Sequence, residues 1–283
     1  MTPIAKMNRF PSPVVRRLMS SIALAMVFAG LSACKSTKPD PKIMTSQPAA
    51  TGDSVAMFRS LRLQQDMIPP GKVGRWKLRP MRPTYITIHS TQNFDSAATA
   101  HQHSIALKRG SLRGNNSLGF LTWHFTVDEN QIVQHLPLNE RGEHADFDGP
   151  GNRYSVGIEM CENRGSNRAV TVDRAARLTG TLMYAYGIPL RNVVPHYHWP
   201  RYKYKDPHKN CPHFLMDNGK PGRTWQTFLA RVDHYHKVAR TDTNGFASGN
   251  GGPNQRSLQA YFERGSMVKR GFLAGTPKVN QTN

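Results

Sequence analysis

The chain has 283 residues, enough for one sizeable domain with flanking segments or for two small ones. Lys and Arg outnumber Asp and Glu by 38 to 18, so the formal net charge is +20 and the surface is predicted to be strongly electropositive. Three cysteines are too few for the disulfide framework of a small secreted domain. The charge favours a polyanionic partner, namely nucleic acid, anionic lipid or an anionic wall polymer. A solvated surface charge without a dedicated partner is an equally good interpretation.

Residues 1–33 have the pattern of a secretory signal peptide. Basic residues precede an apolar run at 22–31 that is too short for a stable membrane span. The run ends in the motif LSAC, which resembles the bacterial lipobox, whose cysteine is lipidated and becomes the mature N-terminus. The motif therefore predicts a lipid anchor at Cys34. Ordinary cleavage near Ala33, which would leave Cys34 as a free thiol, is the alternative.

A lipid anchor would place the protein in the cell envelope. The leader holds four of the 38 basic residues and no acidic one, so the mature chain keeps a net charge of +16. Lys35 stands where an aspartate retains lipoproteins in the inner membrane of Gram-negative bacteria, which favours the outer membrane facing the periplasm. An envelope protein rarely meets nucleic acid, so we expect no nucleic-acid partner, and a membrane surface or wall polymer remains.

The rest of the chain divides into three predicted regions. Residues 34–67 are predicted to be a tether and N-terminal strap. Residues 35–52 are rich in Pro, Ser, Thr and Lys, and the few apolar positions of 53–67 fit a short helix or a strap lying on the domain. Residues 68–240 have the pattern of a mixed α/β domain. Residues 241–283 form a Gly- and Asn-rich tail that can hold a short helix.

The predicted domain has one mixed central sheet flanked by helices. Strands are predicted at 85–88, 120–127, 131–136, 154–161 and 193–194, with a hairpin turn at 128–130. Helices are predicted at 95–108, 173–186 and 222–239. The first of these helices should be capped by Asp95 and end at Gly110, and the second should end at Gly187.

Three potential metal ligands can meet at one edge of this sheet. His89 lies at the end of a buried strand, His196 follows a short apolar run, and Cys211 lies in the motif KNCP. Two imidazoles and one thiolate leave a fourth position for water, as a catalytic zinc requires. A single histidine of this kind is more often a structural residue, and a disulfide with Cys161 is the alternative for Cys211.

Several blocks carry a resemblance to a known family. They are IPPG at 68–71, YITIHSTQNF at 85–94, the long block 121–163 that ends in GIEMCEN, HYHW at 196–199 and KNCPHF at 209–214. Over about residues 68–230 the chain resembles the type 2 N-acetylmuramoyl-L-alanine amidases. These zinc hydrolases share a fold with peptidoglycan recognition proteins and with an amidase-type phage lysozyme.

The resemblance implies a role for each candidate residue. His89, His196 and Cys211 are the implied Zn²⁺ ligands, and Glu159 is the implied catalytic carboxylate that moves protons. Lys209 is the implied cation that steadies the tetrahedral intermediate. Without the surrounding motifs, Glu159 would be interpreted as a buried ion-pair partner and Lys209 as one surface lysine among many.

Three further residues are implied to bind substrate: His144, Trp123 and His124. His144 follows the hairpin, as a groove-lining histidine does in the family. Trp123 stands where several relatives have a tyrosine. No phenol is therefore present at this position to take part in catalysis, and proton transfer is assigned to Glu159. A packed, structural histidine is an equally good interpretation of His124.

The chain departs from the family between its second and third ligands. The segment PRYKYKDPH is an apparent insertion, and its Asp206-Pro207 pair matches relatives that use an aspartate as third ligand. Asp206 is therefore the rival to Cys211. Cys211 is preferred because Lys209 stands two residues before it, as in the family. His198 is a lesser rival to His196.

The sequence thus predicts a monomeric, membrane-anchored, zinc-dependent amidase. Its substrate would be peptidoglycan or muropeptides, cut between N-acetylmuramic acid and L-alanine. A non-catalytic peptidoglycan-binding module of the same fold is the main alternative, and such modules typically lose a metal ligand. A phage-like lytic enzyme is a third interpretation, which the lipobox disfavours.

Overall fold

The structure is a computed structural model that describes residues 41–49, 53–201, 203, 205–241 and 254–268. The predicted leader and the anchor residue Cys34 lie outside these residues. All described residues belong to one compact unit. Within the described ranges, no helix has both the length and the apolar character needed to cross a bilayer.

A six-stranded mixed sheet forms the centre of the domain, as predicted. Its strands are β1 (Leu63–Gln65), β2 (Tyr85–Ser90), β3 (Phe125–Val127), β4 (Ile132–Gln134), β5 (Ser155–Met160) and β6 (Val193–Pro195). The spatial order is β1-β4-β3-β5-β2-β6. The β3–β4 hairpin is antiparallel and the other four pairs are parallel. Two short antiparallel strands, β7 (Met216–Asp217) and β8 (Lys220–Pro221), form a separate ribbon.

Helices cover both faces of the sheet. They are α1 (Pro41–Thr45), α2 (Ser54–Ser60), α3 (Ala100–Arg109), α4 (Pro150–Tyr154), α5 (Arg168–Tyr186), α6 (Arg223–Thr241) and α7 (Gln255–Phe262). Helices α5 and α6 pack on the main core together with alternate strand residues such as Ile86 and Ile88. Helix α3 covers the opposite face, where Ala100 packs with Val133 and Cys161. Because side chains alternate along a strand, Thr87 and His89 point away from the main core.

Local signals predicted the helix ends better than the helix starts. Helices α3 and α5 end at Gly110 and Gly187, whose φ angles of 66° and 65° suit glycine. The predicted cap at Asp95 is wrong, because α3 begins at Ala100 and the Thr99 hydroxyl accepts the capping bond from the Gln102 amide. The Asp95 carboxylate instead accepts from the Ala97 amide in a preceding turn.

The described parts of both flanking regions pack on the domain, and α2 and α7 are short helices of the kind predicted there. The tether prediction is wrong for residues 41–49, since Ile43 is 1% exposed in the main core and the Ser46 hydroxyl accepts a hydrogen bond from Arg231. Strand β1 joins the sheet before residue 68. In the tail, Leu258 and Phe262 of α7 are buried in the same core. The folded unit therefore extends beyond the predicted limits at 68 and 240.

The close packing of α5 on α6 requires glycine at position 180. A Cβ there would lie 2.7 Å from the backbone nitrogen of His236 and 2.8 Å from the carbonyl carbon of Tyr235. Because backbone cannot move aside as a side chain can, we expect Gly180→Ala to lower the free energy of unfolding by about 1–3 kcal/mol. This loss outweighs the gain of about 0.5–1 kcal/mol that alanine brings to a helix interior.

Urea denaturation of Gly180→Ala checks this expectation. Val170→Ala is the matched control, because Val170 is exposed on the same helix and such surface changes stay within about ±0.5 kcal/mol. An unfolding midpoint of Gly180→Ala equal to or above that of the unmodified protein would contradict the packing argument.

Candidate active site

The register of three parallel strands brings the candidate residues to one edge of the sheet. His89 on β2 is the Cα partner of Glu159 on β5, and Ile88 is paired with Pro195 on β6, so His196 follows directly beside them. The carboxyl ends of parallel strands are where open α/β sheets place their sites. His89 and Glu159 therefore share the sheet face opposite to the main core.

The three predicted ligands lie together. One potential ligand atom from each of His89, His196 and Cys211 lies within 4.8 Å of the others, and all three residues are buried. A tetrahedral zinc with Zn–N of about 2.0–2.1 Å and Zn–S of about 2.3 Å needs ligand atoms about 3.3–3.6 Å apart. Cys211 Sγ is 3.9 Å from His89 Nδ1, and no pair is more than 4.8 Å apart, so the ligand atoms would have to approach one another by up to about 1 Å. This donor set fits zinc.

The two rival ligands lie elsewhere. Asp206 is exposed and does not line the cavity beside His89, and it is not part of the ligand group found among the described residues. His198 is half-buried, and its ring stacks on Tyr85 with ring centroids 6.3 Å apart. The disulfide alternative is wrong, because Cys161 and Cys211 are both free thiols in the structure.

The protonation states of the ligands suit a cation. Burial lowers the pKa of His89 well below its ordinary value, and burial also lowers the pKa of His196 to about 3. Both imidazoles are therefore neutral at neutral pH and can donate a lone pair. Burial raises the pKa of the Cys211 thiol, so this group keeps its proton until a cation displaces it. The Ser90 amide donates to Sγ over 3.3 Å and can support the thiolate.

Glu159 has the environment of a proton-transfer group. Its Oε1 atom is 3.8 Å from His89 Nδ1, and its buried Oε2 atom has no hydrogen-bond partner among the described residues. Burial, and then the charge of Glu162, raises the pKa of Glu159 to about 8, while Lys209 acts in the opposite direction. Lys209 is exposed at the mouth of the same cavity.

A cavity of about 450 Å³ opens over these groups. Its volume lies within the usual range of about 300–1,000 Å³ for small-molecule sites. The predicted site residues that line it are His89, Trp123, His144, Glu159, His196, Lys209 and Cys211. One open cavity thus holds the candidate ligands, the carboxylate and the cation.

The three predicted substrate-binding residues have different positions. His144 is buried at the wall of the cavity. Trp123 also lines the cavity, while its indole N–H donates to the Thr126 hydroxyl at 2.7 Å. The prediction for His124 is wrong: this ring is 0% exposed and does not line the cavity. His124 Nε2 lies 2.8 Å from the Glu140 carbonyl and Nδ1 accepts from the Gly157 amide, so the ring is a packed structural histidine.

Sequence reasoning missed several lining residues. His208 and Phe147 both line the cavity, and the His208 ring is 5.2 Å from the His196 ring. Phe147 has a φ of 61°, which is uncommon for a non-glycine residue and often marks a functional position. Arg201 stacks on its ring at 4.7 Å. The only sequence signal was the histidine inside the apparent insertion, since nothing local marks Phe147.

The match to a family model agrees with this geometry. The model for N-acetylmuramoyl-L-alanine amidase matches residues 79–214. This span contains all three candidate ligands as well as Glu159 and Lys209.

Curated and solved relatives point to the same family. N-acetylmuramoyl-L-alanine amidase XlyA of Bacillus subtilis is 43% identical over 169 residues, which are 59% of this chain and 50% of XlyA. N-acetylmuramoyl-L-alanine amidase CwlH of the same organism is 37% identical over 169 residues, 59% of each protein. The catalytic domain of XlyA aligns with a TM-score of 0.50 at 42% identity, over 60% of this chain and 98% of that domain. The chain thus spans about half to three fifths of the curated relatives it matches.

Proposed function

The chain belongs to the N-acetylmuramoyl-L-alanine amidase family. We propose that it hydrolyses the amide bond between N-acetylmuramic acid and L-alanine in peptidoglycan or muropeptides. We propose zinc as its cofactor. The observation that carries this proposal is the buried group of His89, His196 and Cys211, which lies beside Glu159 in one open cavity. A non-catalytic binding module would not need all four residues.

The cofactor would be held by the two imidazoles and the Cys211 thiolate. A zinc ion in such a site polarises the scissile carbonyl and lowers the pKa of a bound water towards about 7. His89 and His196 are already neutral, so they bind without losing a proton.

The chain's own residues would carry the proton and stabilise the charge. Glu159 Oε2 has no competing hydrogen bond, so in its ionised form it can accept a proton from the attacking water. The same carboxyl can then give that proton to the leaving amine of L-alanine. Lys209, at the cavity mouth, brings a positive charge towards the oxyanion that develops on the carbonyl. Burial of the site strengthens this attraction.

Product analysis tests the reaction directly. Digested peptidoglycan is expected to release free stem peptides that begin with L-alanine and to leave intact N-acetylmuramic acid on the glycan strand. Mass spectrometry distinguishes these products from those of glycan or peptide cleavage. Binding of muropeptides without any release of stem peptide would instead support the non-catalytic module.

The identity of the third ligand can be tested by two matched substitutions. Because Cys211 is buried beside His89 and Asp206 is exposed away from it, we expect Cys211→Ser to lose zinc and Asp206→Asn to keep it. Zinc content after gel filtration, measured by atomic emission, checks both variants. The opposite pattern would assign the third ligand to Asp206.

We further propose that the protein acts at the cell envelope as a lipid-anchored monomer. The supporting observations are the apolar run before LSAC, with Cys34 as anchor, and the lysine at position 35, which favours the outer membrane facing the periplasm. All ligands and the carboxylate come from one chain, so no second subunit is needed to complete the site. The excess of basic residues would help to hold anionic wall material.

A further inference from the structure

Residues 144 and 145 contact the Nε2 atoms of His89 and His196, the two histidines of the candidate metal site. His196 Nε2 lies 2.7 Å from the carbonyl oxygen of Ala145. His89 Nε2 lies 3.0 Å from Nδ1 of His144. In each histidine, Nε2 is therefore occupied by a partner from residues 144–145, which leaves Nδ1 as the nitrogen available to a cation.

The hydrogen bonds define which nitrogen of each ring carries the proton. His144 Nε2 lies 3.3 Å from the carbonyl oxygen of Ser155, which can only accept, so Nε2 of His144 is the donor. In a neutral His144, Nδ1 then has the lone pair and must accept from Nε2–H of His89. His89 Nδ1 is left with its lone pair directed to the ligand group, 3.9 Å from Cys211 Sγ.

The same logic applies to the second histidine. The Ala145 carbonyl can only accept, so His196 also carries its proton on Nε2 and has its lone pair on Nδ1. Both imidazoles are thereby held in the tautomer that a cation needs.

The fold holds residues 144–145 in one position. The Asn152 side-chain oxygen accepts the backbone N–H of His144 and of Ala145, each at 2.8 Å. Two glycines make room for the His144 ring, because a Cβ at Gly157 or at Gly142 would lie 2.7 Å from its Cδ2 atom. The ring stands perpendicular to the His89 ring, with centroids 5.0 Å apart.

We propose that His144 is a positioning residue for the metal centre. Residues 144–145, pinned by Asn152, set the tautomer and the ring orientation of both His89 and His196, so that both Nδ1 atoms face the cation. This inference rests on the proposed zinc site. It gives His144 a role beyond contact with substrate in the groove.

Nitrogen NMR of the zinc-free protein tests the tautomers without any substitution. In ¹⁵N-labelled full-length protein, long-range ¹H–¹⁵N spectra are expected to show His89, His144 and His196 each protonated on Nε2. A His89 ring protonated on Nδ1, or a His144 ring protonated on Nδ1, would overturn the proposal.

Zinc affinity of His144 variants provides the second test. His144→Phe keeps a planar ring but removes the acceptor, so zinc binding measured by competition with a chromogenic chelator should weaken by about 10–100-fold. His144→Gln keeps an acceptor oxygen and should bind more tightly than His144→Phe. His198→Phe, on the same segment as His196 but outside the hydrogen-bond chain, is the control and should bind zinc as the unmodified protein does.

Two outcomes of the affinity test would overturn the proposal: unchanged affinity of His144→Phe, or equal affinities of the Phe and Gln variants. If either variant does not fold, the NMR test decides alone. Both tests use no substrate, so a protein that binds zinc in this way but cleaves nothing would contradict only the proposed hydrolase activity.

Discussion

Removal of zinc with a chelator is expected to abolish muropeptide cleavage, and added zinc is expected to restore it. Without zinc, the ligand group consists of neutral imidazoles and a protonated thiol, because burial lowers the pKa values of His89 and His196 and raises that of Cys211. None of these groups can polarise an amide carbonyl strongly. Release of stem peptide should therefore fall to background in dialysed protein, as measured by chromatography.

Zinc binding should also leave a thermodynamic signature that does not depend on substrate. Among the ligands only Cys211 has to lose a proton, and the cation also favours the ionised form of Glu159, so about one to two protons should be released for each zinc bound at neutral pH. Calorimetry in buffers of different ionisation enthalpy measures this number. Zinc at 100 times its dissociation constant should stabilise the folded protein by about 2.7 kcal/mol. Magnesium, which prefers oxygen ligands, is the control and should neither restore activity nor stabilise the protein.

Full cleavage by protein shown to be metal-free would rule out the proposed zinc-dependent hydrolysis, whatever the ligands are.

Replacement of Glu159 by glutamine is expected to lower kcat by about 10²–10⁴-fold, the usual contribution of general acid–base catalysis. The amide keeps the size of the side chain but cannot accept a proton from water. Because Glu159 is not part of the ligand group, zinc content should remain that of the unmodified protein. Steady-state kinetics on a purified muropeptide, together with metal analysis, checks both expectations.

The pH dependence adds a second measurement for Glu159. Burial raises the pKa of this carboxyl to about 8, and Lys209 acts against the rise. A bound dication would lower this pKa further, since it favours the carboxylate. Activity needs the ionised carboxylate of Glu159, so kcat/KM should decrease as the pH falls. The apparent pKa of this decrease should lie below 8.

A neighbouring carboxylate serves as control for Glu159→Gln. Glu162 does not line the cavity, and its Oε1 accepts a hydrogen bond from the Gln92 amide, which the side-chain oxygen of glutamine can also accept. Glu162→Gln also removes the charge that raises the pKa of Glu159, which favours the ionised form, so this variant should keep most of its activity. A Glu159→Gln variant as active as Glu162→Gln would remove Glu159 from the mechanism.

The sequence predicted the framework of the site because its signals are local. The apolar run before His89 predicted a buried strand, and the run before His196 predicted a further short strand. Gly110 and Gly187 ended their helices as predicted, since a left-handed residue at this position needs no long-range partner. The family motifs supplied the candidate roles, which the local pattern alone could not.

The errors occurred where burial depends on distant partners. Residues 41–49 have the composition of a tether, yet Ile43 is buried against elements far along the chain. His124 stands next to residues of the cavity wall, but the Glu140 carbonyl and the Gly157 amide take both ring nitrogens. A pattern read along one segment contains no information about such neighbours.

The sequence by itself thus determined five of the six strands of the central sheet, the motifs and the candidate ligands, because apolar runs and capping residues act over a few positions. Only the tertiary structure decided between Cys211 and Asp206 as the residue beside the two histidines. It also decided the hydrogen-bond chain from Ser155 through His144 to His89. These choices depend on register and on donor–acceptor partners between separate strands and loops, which form only when the whole sheet is assembled.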